Sequence, residues 1–443
     1  MTGPAPPSGA GATEISQALK SLGSELLAQR HLRLLRRIAA RSFKQRTVLF
    51  FGRPTFADNS KYLFLHAAAR PQNEVGFTPV WCTANAGLAA ELKSHGLQTF
   101  HLGADANRTI QFLLTASAAV FCTNPREALL QPMFAAALDG AFKLQLWHGV
   151  GAKKIDLMLI DQMNLLNLDL LESLDAVSQV DSVLSPSGPY DRVWREAFGV
   201  ERVLRAGLPR NEVLLRPATD LERMGAFDLP AADGQLRVLF APTFTLASQT
   251  PVWQSPELLN AIRAGLPENK GHIFVKPHPF DAVRTAACRG IEGTHLIPAD
   301  ADIYPALREF DLLITDKSSL LTDFLLADKP VVILDLGYPA GQKDECAENP
   351  FSQAHPGISA TPATLSPAVC QALTSDTMQR NRAQLRNRIF STDPLDSCAT
   401  LTRILATIVA ERMESQRGSC ECLPALFAGS SLECSIREVE VAR

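Results

Sequence analysis

From residue 46 onward the chain alternates short apolar runs with stretches whose apolar residues recur at helical spacing, such as 86–96 and 108–118. Near-continuous apolar strands that alternate with helices are typical of parallel sheets covered by helices on both faces. The pattern therefore predicts an α/β protein. The first five strand-like runs are TVLFFG (47–52), TPVWCTA (78–84), QTFHLG (98–103), AAVFCTN (118–124) and KLQLWHG (143–149).

A second series of strand-like runs follows, which predicts two doubly wound parallel-sheet domains in series. We place the boundary between residues 180 and 235, and divide the chain into an N-terminal domain at 46–200 and a C-terminal domain at 201–415. The runs of the second series are VDSVLSPS (180–187), ERVLRAG (201–207), LRVLFAPTF (236–244), HIFVKPHP (272–279), THLIPA (294–299), FDLLITD (310–316) and PVVILDLG (330–337).

The two ends of the chain depart from this pattern. Residues 1–13 are rich in Pro, Gly and Ala and predict a flexible leader, while residues 416–443 have no clear period and predict a poorly ordered tail. Residues 14–45 predict a basic amphipathic helical region whose second half carries no acidic residue. Such a segment, taken as 14–46, either lies on an anionic membrane surface or packs its leucine side against the body of the protein.

Composition narrows the class of protein. Hydrophobic content of 46% and charged content of 20% over 443 residues describe a globular chain. The net charge of −3 argues against a surface built to bind nucleic acid. Nine cysteines form no CxxC pair, so neither a zinc site nor a disulfide scaffold is indicated. Without a secretory signal or an apolar run long enough to span a bilayer, we expect a cytoplasmic protein.

Polar and titratable residues collect at the predicted ends of strands, which is where open parallel sheets bind their ligands. His148 follows one strand, Thr243 follows another, and Lys276 and His278 follow a third, while Asp316 ends the run FDLLITD. The sequence therefore predicts a site between the two domains. It contains no GxGxxG or Walker sequence and no acidic pair in an evident metal-binding loop, so we predict neither a cofactor nor a metal ion there.

Ser318 and Ser319 follow Asp316 and open a predicted helix. Hydroxyl groups beside the N–H groups of a helix N-terminus bind phosphate, but serines at this position also act as plain helix caps without any ligand. Lys276 adds a cation, and His278 stands in a stiff Pro-His-Pro segment. For these residues, phosphate binding and an ordinary structural role both stay open.

Eight motifs, in this order along the chain, resemble the CDP-glycerol glycerophosphotransferase family, which comprises the bacterial teichoic-acid polymerases and primases and related capsule polymerases. The resemblance covers residues 46–340. The motifs are FADNSKY (56–62), LQLWHG with the following AKK (144–154), SPS with VWREAFGV (185–200), GLPRNE (207–212), LFAPTF (239–244), KPHP (276–279), DLLITDKSSLLTDF (311–324) and KPVVILD (329–335).

The resemblance implies a GT-B-like fold, in which two Rossmann-type domains enclose the active site in an interdomain cleft. The N-terminal domain would face the acceptor and the C-terminal domain the nucleotide donor. The implied reaction moves glycerol phosphate, or a similar polyol phosphate, from CDP-glycerol or a related CDP-polyol to a hydroxyl of a polyol-phosphate or glycan-lipid acceptor, and releases CMP. Such an enzyme works in the cytoplasm or peripherally on the inner face of the cell membrane.

The same resemblance assigns roles to individual residues. The family's general base matches His148, and the histidine held to lie beside the donor phosphates matches His278. An imidazole suits the base because it titrates near neutral pH. The donor phosphates or nucleotide are expected at Lys276, Asp316, Ser318, Ser319, Thr243, Arg210 and Asn211, and the acceptor at Gly149, Lys153, Lys154, Asn59 and Ser60.

The chain departs from the family pattern at a few positions. Val150 and Gly151 stand where the family often has Thr-Pro, and Lys317 stands where it often has an aromatic residue. These departures leave the choice of donor and acceptor open. Two alternatives remain: a GT-B glycosyltransferase that uses a nucleotide sugar, and a catalytically degenerate scaffold protein.

Overall fold

The computed structural model describes residues 10–151, 154–164, 166–231, 234–243, 251–278, 293–316, 318–336 and 355–421. Within these residues, two parallel β-sheets form the centre of the molecule. The strands of the first sheet are β1 (Gln45–Phe51), β2 (Thr78–Thr83), β3 (Thr99–His101), β4 (Ala116–Phe121), β5 (Phe142–Gln145), β6 (Ser182–Ser185) and β7 (Val203–Arg205). Those of the second are β8 (Arg237–Phe240), β9 (His272–Val275), β10 (Thr294–Leu296), β11 (Leu312–Thr315), β12 (Val331–Leu334) and β13 (Ile358–Ala360).

Helices cover the faces of both sheets. The α-helices are α1 (Ala10–Arg41), α2 (Asp58–Ala68), α3 (Gln72–Val75), α4 (Ala86–Ser94), α5 (Ala106–Leu114), α6 (Pro125–Leu129), α7 (Pro132–Ala137), α8 (Leu168–Ser178), α9 (Asp191–Phe198), α10 (Glu212–Leu215), α11 (Asp220–Arg223), α12 (Pro256–Ala264), α13 (Tyr304–Leu307), α14 (Leu320–Phe324), α15 (Leu365–Thr374), α16 (Gln379–Ile389) and α17 (Ser397–Glu421). Short 3-10 helices include Asp156–Gln162, Gly188–Tyr190, Pro209–Asn211, Val252–Gln254, Pro267–Asn269, Leu325–Ala327, Pro362–Thr364 and Pro394–Asp396.

Both sheets have the strand order of a Rossmann-type domain. In the described residues, the first sheet runs β3-β2-β1-β4-β5-β6-β7 and the second runs β10-β9-β8-β11-β12-β13, with all strands parallel. The order reverses between β1 and β4 in one sheet and between β8 and β11 in the other. Loops diverge there and leave a crevice outside the carboxyl ends of the strands. The predicted fold class of two doubly wound parallel-sheet domains is confirmed.

The central strands are buried on both faces, as their unbroken apolar sequences predict. Every residue of β4, Ala116–Phe121, is buried, and Phe121 stacks on Phe51 of the adjacent β1 with ring centroids 4.8 Å apart. This packing makes the first sheet a rigid support, so the residues that follow its strands are held in fixed positions.

Helix α17 and a buried ion pair tie the two sheets together. Although it follows the second sheet in the chain, α17 packs on α2, β1 and β4 of the first domain. Fully buried Lys61 of α2 donates to Asp302 Oδ2 at 2.8 Å and to the carbonyl of Glu222 at 2.7 Å. Tyr62 donates to the same Asp302 oxygen at 2.8 Å. The relative placement of the domains is therefore fixed by polar contacts as well as by apolar packing.

One more strand of the first sheet follows residue 200, where the sequence analysis ends the N-terminal domain. Strand β7 at Val203–Arg205 pairs with β6, with Val203 opposite Val183, and therefore belongs to the first sheet. The passage between the sheets lies between Arg205 and Arg237. Periodicity identifies a strand but not the sheet it joins, because that depends on pairing with residues distant in sequence. The same difficulty applies to β13, a three-residue strand that the sequence pattern did not reveal.

The ends of the chain also differ from expectation. Helix α1 begins at Ala10, inside the predicted leader, and α17 continues to Glu421, into the predicted tail; residues 1–9 and 422–443 lie outside the described residues. The basic segment packs one face on the body, because Ala39 is fully buried and α1 contacts α7. Its opposite face stays exposed. In the described part of the chain, no helix combines the length and apolar character needed to cross a bilayer.

Candidate active site

A strained turn at the end of β5 presents His148. Trp147 has a φ of 54° and Gly149 a φ of 118°, and a non-glycine residue in this left-handed region stores about 1–3 kcal/mol of strain. The turn is held by hydrogen bonds: Trp147 N donates to Gln145 Oε1 at 2.9 Å, and Asn59 Nδ2 donates to the Trp147 carbonyl at 2.8 Å. The backbone of His148 therefore has a fixed direction.

The His148 ring is half-buried and lies against the Trp147 ring, with centroids 4.0 Å apart. Its Nδ1 is buried and meets no hydrogen-bond partner in the described residues. Burial and the nearby cation Arg53 lower the pKa of His148 from 6.5 to about 3, and Asp58 opposes this in part. The imidazole is therefore neutral at physiological pH, which is the protonation state of a proton acceptor.

Arg210 joins the turn of His148 to both domains. It lies on the 3-10 helix Pro209–Asn211, in the connection between the sheets, and its side chain is only 5% exposed. Its Nη2 donates to the His148 carbonyl at 2.8 Å, and its Nη1 donates to Asp58 Oδ1 at 2.7 Å. Nη2 also donates to Asp323 Oδ2, from the second domain, at 2.6 Å. One planar guanidinium thus fixes three groups at once, which a lysine ammonium cannot do in the same geometry.

On the second domain, Asp323 accepts several of the hydrogen bonds at the junction. Besides Arg210, it accepts hydrogen bonds from Tyr304 Oη at 2.6 Å and from Asn211 Nδ2 at 3.0 Å. The guanidinium of Arg210 also lies over the Tyr304 ring, 4.4 Å from its centroid. Next along α14, Thr322 Oγ1 donates to the carbonyl of Val150 at 2.6 Å. The second domain therefore contacts the turn of His148 directly.

Asp58 and Arg53 shape the charge around His148. Burial alone would raise the pKa of Asp58, but Arg210 and Arg53 together lower it below its usual value. Arg53 Nε lies 3.4 Å from Asp58 Oδ2, and its side chain is 33% exposed. The side chain of Arg53 is therefore partly open to solvent, and its positive charge acts on the imidazole of His148.

At the reversal point of the second sheet, Asp316 joins the loops after β8 and β11. Its carboxylate accepts hydrogen bonds from the backbone N and the Oγ1 of Thr243, at 2.9 and 2.6 Å. Asp316 is 3% exposed, so its charge is used internally to position Thr243. The expected contact of Asp316 with the donor phosphates stays a prediction, and what the structure shows is its support of Thr243.

Ser318 and Ser319 lie where α14 begins. α14 contains five residues and passes into a 3-10 turn at Leu325–Ala327, so its dipole is weaker than that of a helix of several turns. Ser318 Oγ accepts from Leu320 N at 3.3 Å. Ser319 faces Gly149: a Cβ placed on Gly149 would lie 3.5 Å from Ser319 Oγ. The Ser319 hydroxyl therefore adjoins the turn of His148 across the domain junction.

The strand end after β9 provides Lys276 and His278. Lys276 Nζ donates to the carbonyl of Ala299 at 2.6 Å, and burial lowers its pKa to about 8, with Asp300 opposing the shift. An ammonium with this pKa remains largely protonated at neutral pH. His278 is half-buried, two residues further along.

Some of the predicted site residues lie at the domain junction, and others are buried beneath it. His148, Gly149, Arg210 and Ser319 come together at the domain junction, whereas Asn59, Ser60 and Asn211 are completely buried beneath it. Asn59 and Asn211 hold Trp147 and Asp323, so they support the site without lining it. Lys154 is half-buried, and Lys153 and Lys317 lie outside the described residues.

Sequence reasoning missed Arg53, Asp58, Asp323 and Tyr304. Asp58 and Asp323 lie inside the quoted motifs FADNSKY and DLLITDKSSLLTDF, so the signal was present, but nothing in one sequence shows that both carboxylates face the same arginine. In the described part of the chain, no cluster of three metal-ligating side chains lies at this junction.

Comparison with known proteins adds a family and a fold. The family model described as CDP-Glycerol:Poly(glycerophosphate) glycerophosphotransferase matches residues 34–406. The teichoic acid ribitol-phosphate polymerase TarK of Staphylococcus aureus is 26% identical over 198 residues, covering 43% of this chain and 38% of that protein. A teichoic acid poly(glycerol phosphate) polymerase of Staphylococcus epidermidis is 22% identical over 216 residues, covering 45% of this chain and 27% of that protein. The match therefore spans less than half the length of these relatives.

Among solved structures, the wall teichoic acid polymerase TagF superposes with a TM-score of 0.67 at 17% identity, covering 90% of this chain and 99% of that chain. A variant of TagF soaked with CDPG gives a TM-score of 0.65 at 17% identity, with the same coverage. At this identity the likeness establishes the fold, which confirms the GT-B-like arrangement of two Rossmann-type domains. The resemblance stated from sequence motifs is confirmed by the family match.

Proposed function

We propose a function from the premise that this chain belongs to the CDP-glycerol:poly(glycerophosphate) glycerophosphotransferase family. The protein transfers glycerol phosphate, or a similar polyol phosphate, from a CDP-activated donor to an acceptor hydroxyl and releases CMP. The observation that carries this proposal is the neutral imidazole of His148, a residue whose backbone carbonyl is held at the domain junction by Arg210 and whose ring is flanked by the cation Arg53.

In the proposed reaction, the acceptor oxygen attacks the donor phosphorus that bears the polyol. A new P–O bond forms, the bond from that phosphorus to the CMP oxygen breaks, and CMP leaves with the electron pair. The hydroxyl proton passes to His148, a transfer that typically contributes about 10²–10⁴-fold to rate. Gly149 has no side chain to obstruct the approaching hydroxyl.

Charge neutralisation is the second requirement of phosphoryl transfer. We assign it to Arg53, Lys276 and the hydroxyls of Ser318 and Ser319, with His278 beside the donor phosphates and Thr243 held towards them by Asp316. A bound diphosphate also places negative charge near His148. This raises the pKa of the imidazole from its low value in the free protein and makes it a stronger base only when the donor is present.

The acceptor is proposed to be a polyol-phosphate chain or a glycan-lipid presented at a membrane. Helix α1 supports this, because Leu27, Leu34 and Ile38 are 61%, 44% and 54% exposed and recur at helical spacing. Arg30 and Arg37 are exposed on the same helix. Apolar and cationic side chains in this arrangement lie in the interface of an anionic membrane.

Co-sedimentation with vesicles tests this part of the proposal. The full chain should sediment with vesicles of anionic lipid and much less with neutral ones, and Leu34→Gln with Ile38→Gln should reduce the bound fraction. Equal binding to both lipids would contradict the electrostatic contribution.

The reaction class is tested by the nucleotide that the purified protein releases. With CDP-glycerol and an acceptor-containing membrane extract, we expect CMP in equal amount to the glycerol phosphate incorporated. If CDP-glycerol and CDP-ribitol stay intact while a nucleotide sugar yields a nucleoside diphosphate, the protein is a glycosyltransferase and the proposal is wrong.

A further inference from the structure

Three side chains that ligate metals meet away from the domain junction of His148. His66 lies in the last turn of α2, Glu212 is the first residue of α10, and Cys398 is the second residue of α17. A ring nitrogen, a carboxylate oxygen and the Sγ of these residues all lie within 4.8 Å of one another. Glu212 and Cys398 are buried, and His66 is half-buried.

We propose that His66, Glu212 and Cys398 bind one divalent transition-metal ion, for which Zn²⁺ is the best match, and that this ion fastens α17 to α2 and α10. Zinc in proteins is bound by imidazole nitrogen, thiolate sulfur and carboxylate oxygen, with a fourth, tetrahedral position open to water. At zinc bond lengths the ligand atoms stand about 3.3–3.8 Å apart. Because the three atoms already lie within 4.8 Å of one another, they reach that spacing by a shift of about 1 Å.

Carboxylates and guanidinium groups both lie beside the cluster. Glu222 accepts hydrogen bonds from both terminal nitrogens of Arg216, at 2.8 and 2.6 Å. Glu212 accepts only one bond from Arg216, from Nη2 at 3.3 Å. Two carboxylates thus share the guanidinium of Arg216, and Arg70, whose Nη1 donates to the His66 carbonyl at 2.8 Å, is a further cation beside the cluster. When the metal binds, the thiol proton of Cys398 is released to solvent, and the thiolate adds a second negative charge that the ion compensates.

At this position, a bound ion would stabilise the contact between α17 and the segment that carries Arg210. Cys398 N donates to Glu212 Oε1 at 2.7 Å, and Cys398 Sγ lies 3.9 Å from the carbonyl of Pro209. Pro209 begins the 3-10 helix that carries Arg210, and Glu212 follows it directly. An ion here would brace that short helix at the place where α17 returns to the first domain. Because the three ligands are separated by 146 and 186 residues in the chain, spacing motifs could not reveal them.

Cobalt titration of the full-length, chelator-treated protein tests the proposal without reference to activity. We expect one equivalent of Co²⁺ to give the visible bands of a tetrahedral site and a near-ultraviolet thiolate-to-cobalt charge-transfer band. Cys398→Ser should lose the near-ultraviolet band. Cys370→Ser, a matched change at an exposed cysteine, should keep it. Absence of the band in the folded wild type, or its persistence in Cys398→Ser, would overturn the assignment.

His66→Gln is the second variant, because His66 is half-buried and the change preserves much of its volume. We expect its Zn²⁺ affinity to fall by more than about tenfold, since even groups outside the ligand shell alter metal affinity by about 10–100-fold. Added Zn²⁺ should raise the thermal midpoint of the wild type and not that of this variant. Unchanged affinity in a His66→Gln protein with native circular dichroism would remove His66 from the site and contradict the proposal.

Discussion

Arg210 and Asp323 form a buried ion pair between the two domains, with Nη2 2.6 Å from Oδ2 and side chains 5% and 0% exposed. The same Nη2 holds the carbonyl of His148. The residue proposed to accept the proton is therefore positioned by an arginine that also binds Asp58 of the first domain and Asp323 of the second. This couples the geometry of the base to the contacts between the two domains.

Replacing Arg210 by lysine tests this coupling while keeping the charge. A lysine ammonium cannot reach Asp58, Asp323 and the His148 carbonyl together, so the turn of His148 should shift. We expect CMP release to fall by about 100-fold, the size of effect expected from a misplacement of about 1 Å. Steady-state kinetics measure it, and Arg195→Lys, on the exposed face of α9, is the control. A rate within about twofold of wild type, far from the loss expected on misplacement, would show that Arg210 does not position His148.

Gly149→Ala should damage the site through two effects. Gly149 has a φ of 118°, and an added Cβ would lie 2.6 Å from Arg210 Nη2. Gly96→Ala is a matched control, because Gly96 also has a positive φ of 75° but a Cβ added there would meet nothing within 4 Å. Both variants should lose about 1 kcal/mol or more of unfolding free energy from backbone strain. CMP release should fall only in Gly149→Ala; equal loss in both variants would exclude the contact with Arg210 as the cause.

The lowered pKa of His148 predicts a pH dependence of stability. In the unfolded chain the ring takes up a proton near pH 6.5, but in the folded protein it does so only near 3. Between these values the unfolded state binds more protons, so the unfolding free energy rises with pH in this window and is lost as pH falls. Urea unfolding between about pH 4.5 and 7 should show a shallower slope for His148→Gln than for wild type. The exposed His95→Gln should leave the slope unchanged; an identical slope in His148→Gln would contradict the predicted shift.

Lys61→Met should destabilise the junction of the domains. It leaves Asp302, whose side chain is 1% exposed, buried without its cation, which typically costs about 3–5 kcal/mol. Lys270→Met is the control, because its ion pair with Glu268 is exposed on both sides and should contribute about 0–1 kcal/mol. Urea midpoints measure both effects. Adding Asp302→Asn to Lys61→Met should recover part of the loss, and no recovery would indicate that packing, not charge, is the cause.

Most of the fold follows from local patterns in the sequence. Apolar runs bounded by turn residues locate the strands of both sheets, because parallel strands are buried on both faces and need unbroken apolar stretches. The sheet to which β7 belongs could not be predicted, because Val203 finds its place by pairing with Val183. The extent of α17 was missed for a different reason: its final turns, up to Glu421, have no strong apolar period.

Only those residues of the candidate site that lie close to strand ends could be predicted from the sequence. His148, Thr243 and Lys276 lie within three residues of the ends of β5, β8 and β9, so the rule that ligands bind at the carboxyl edge was enough to select them. Arg53 and Asp323 could be recognised only in the three-dimensional structure, because it is their contacts with Asp58 and Arg210 that connect them to His148. Asp316 was selected by its position at a strand end, but its contact with Thr243 depends on side-chain geometry that one sequence does not show.

The central claim is that His148 accepts the proton of the hydroxyl that attacks a CDP-activated polyol phosphate. The most direct measurement is CMP release from CDP-glycerol, in the presence of acceptor, by the wild type and His148→Ala, with His95→Ala as a control at an exposed histidine. We predict that His148→Ala loses at least about 100-fold in rate, within the range of general-base catalysis, while His95→Ala keeps the rate of the wild type. CMP release at the rate of the wild type by a folded His148→Ala protein would contradict the assignment of the base.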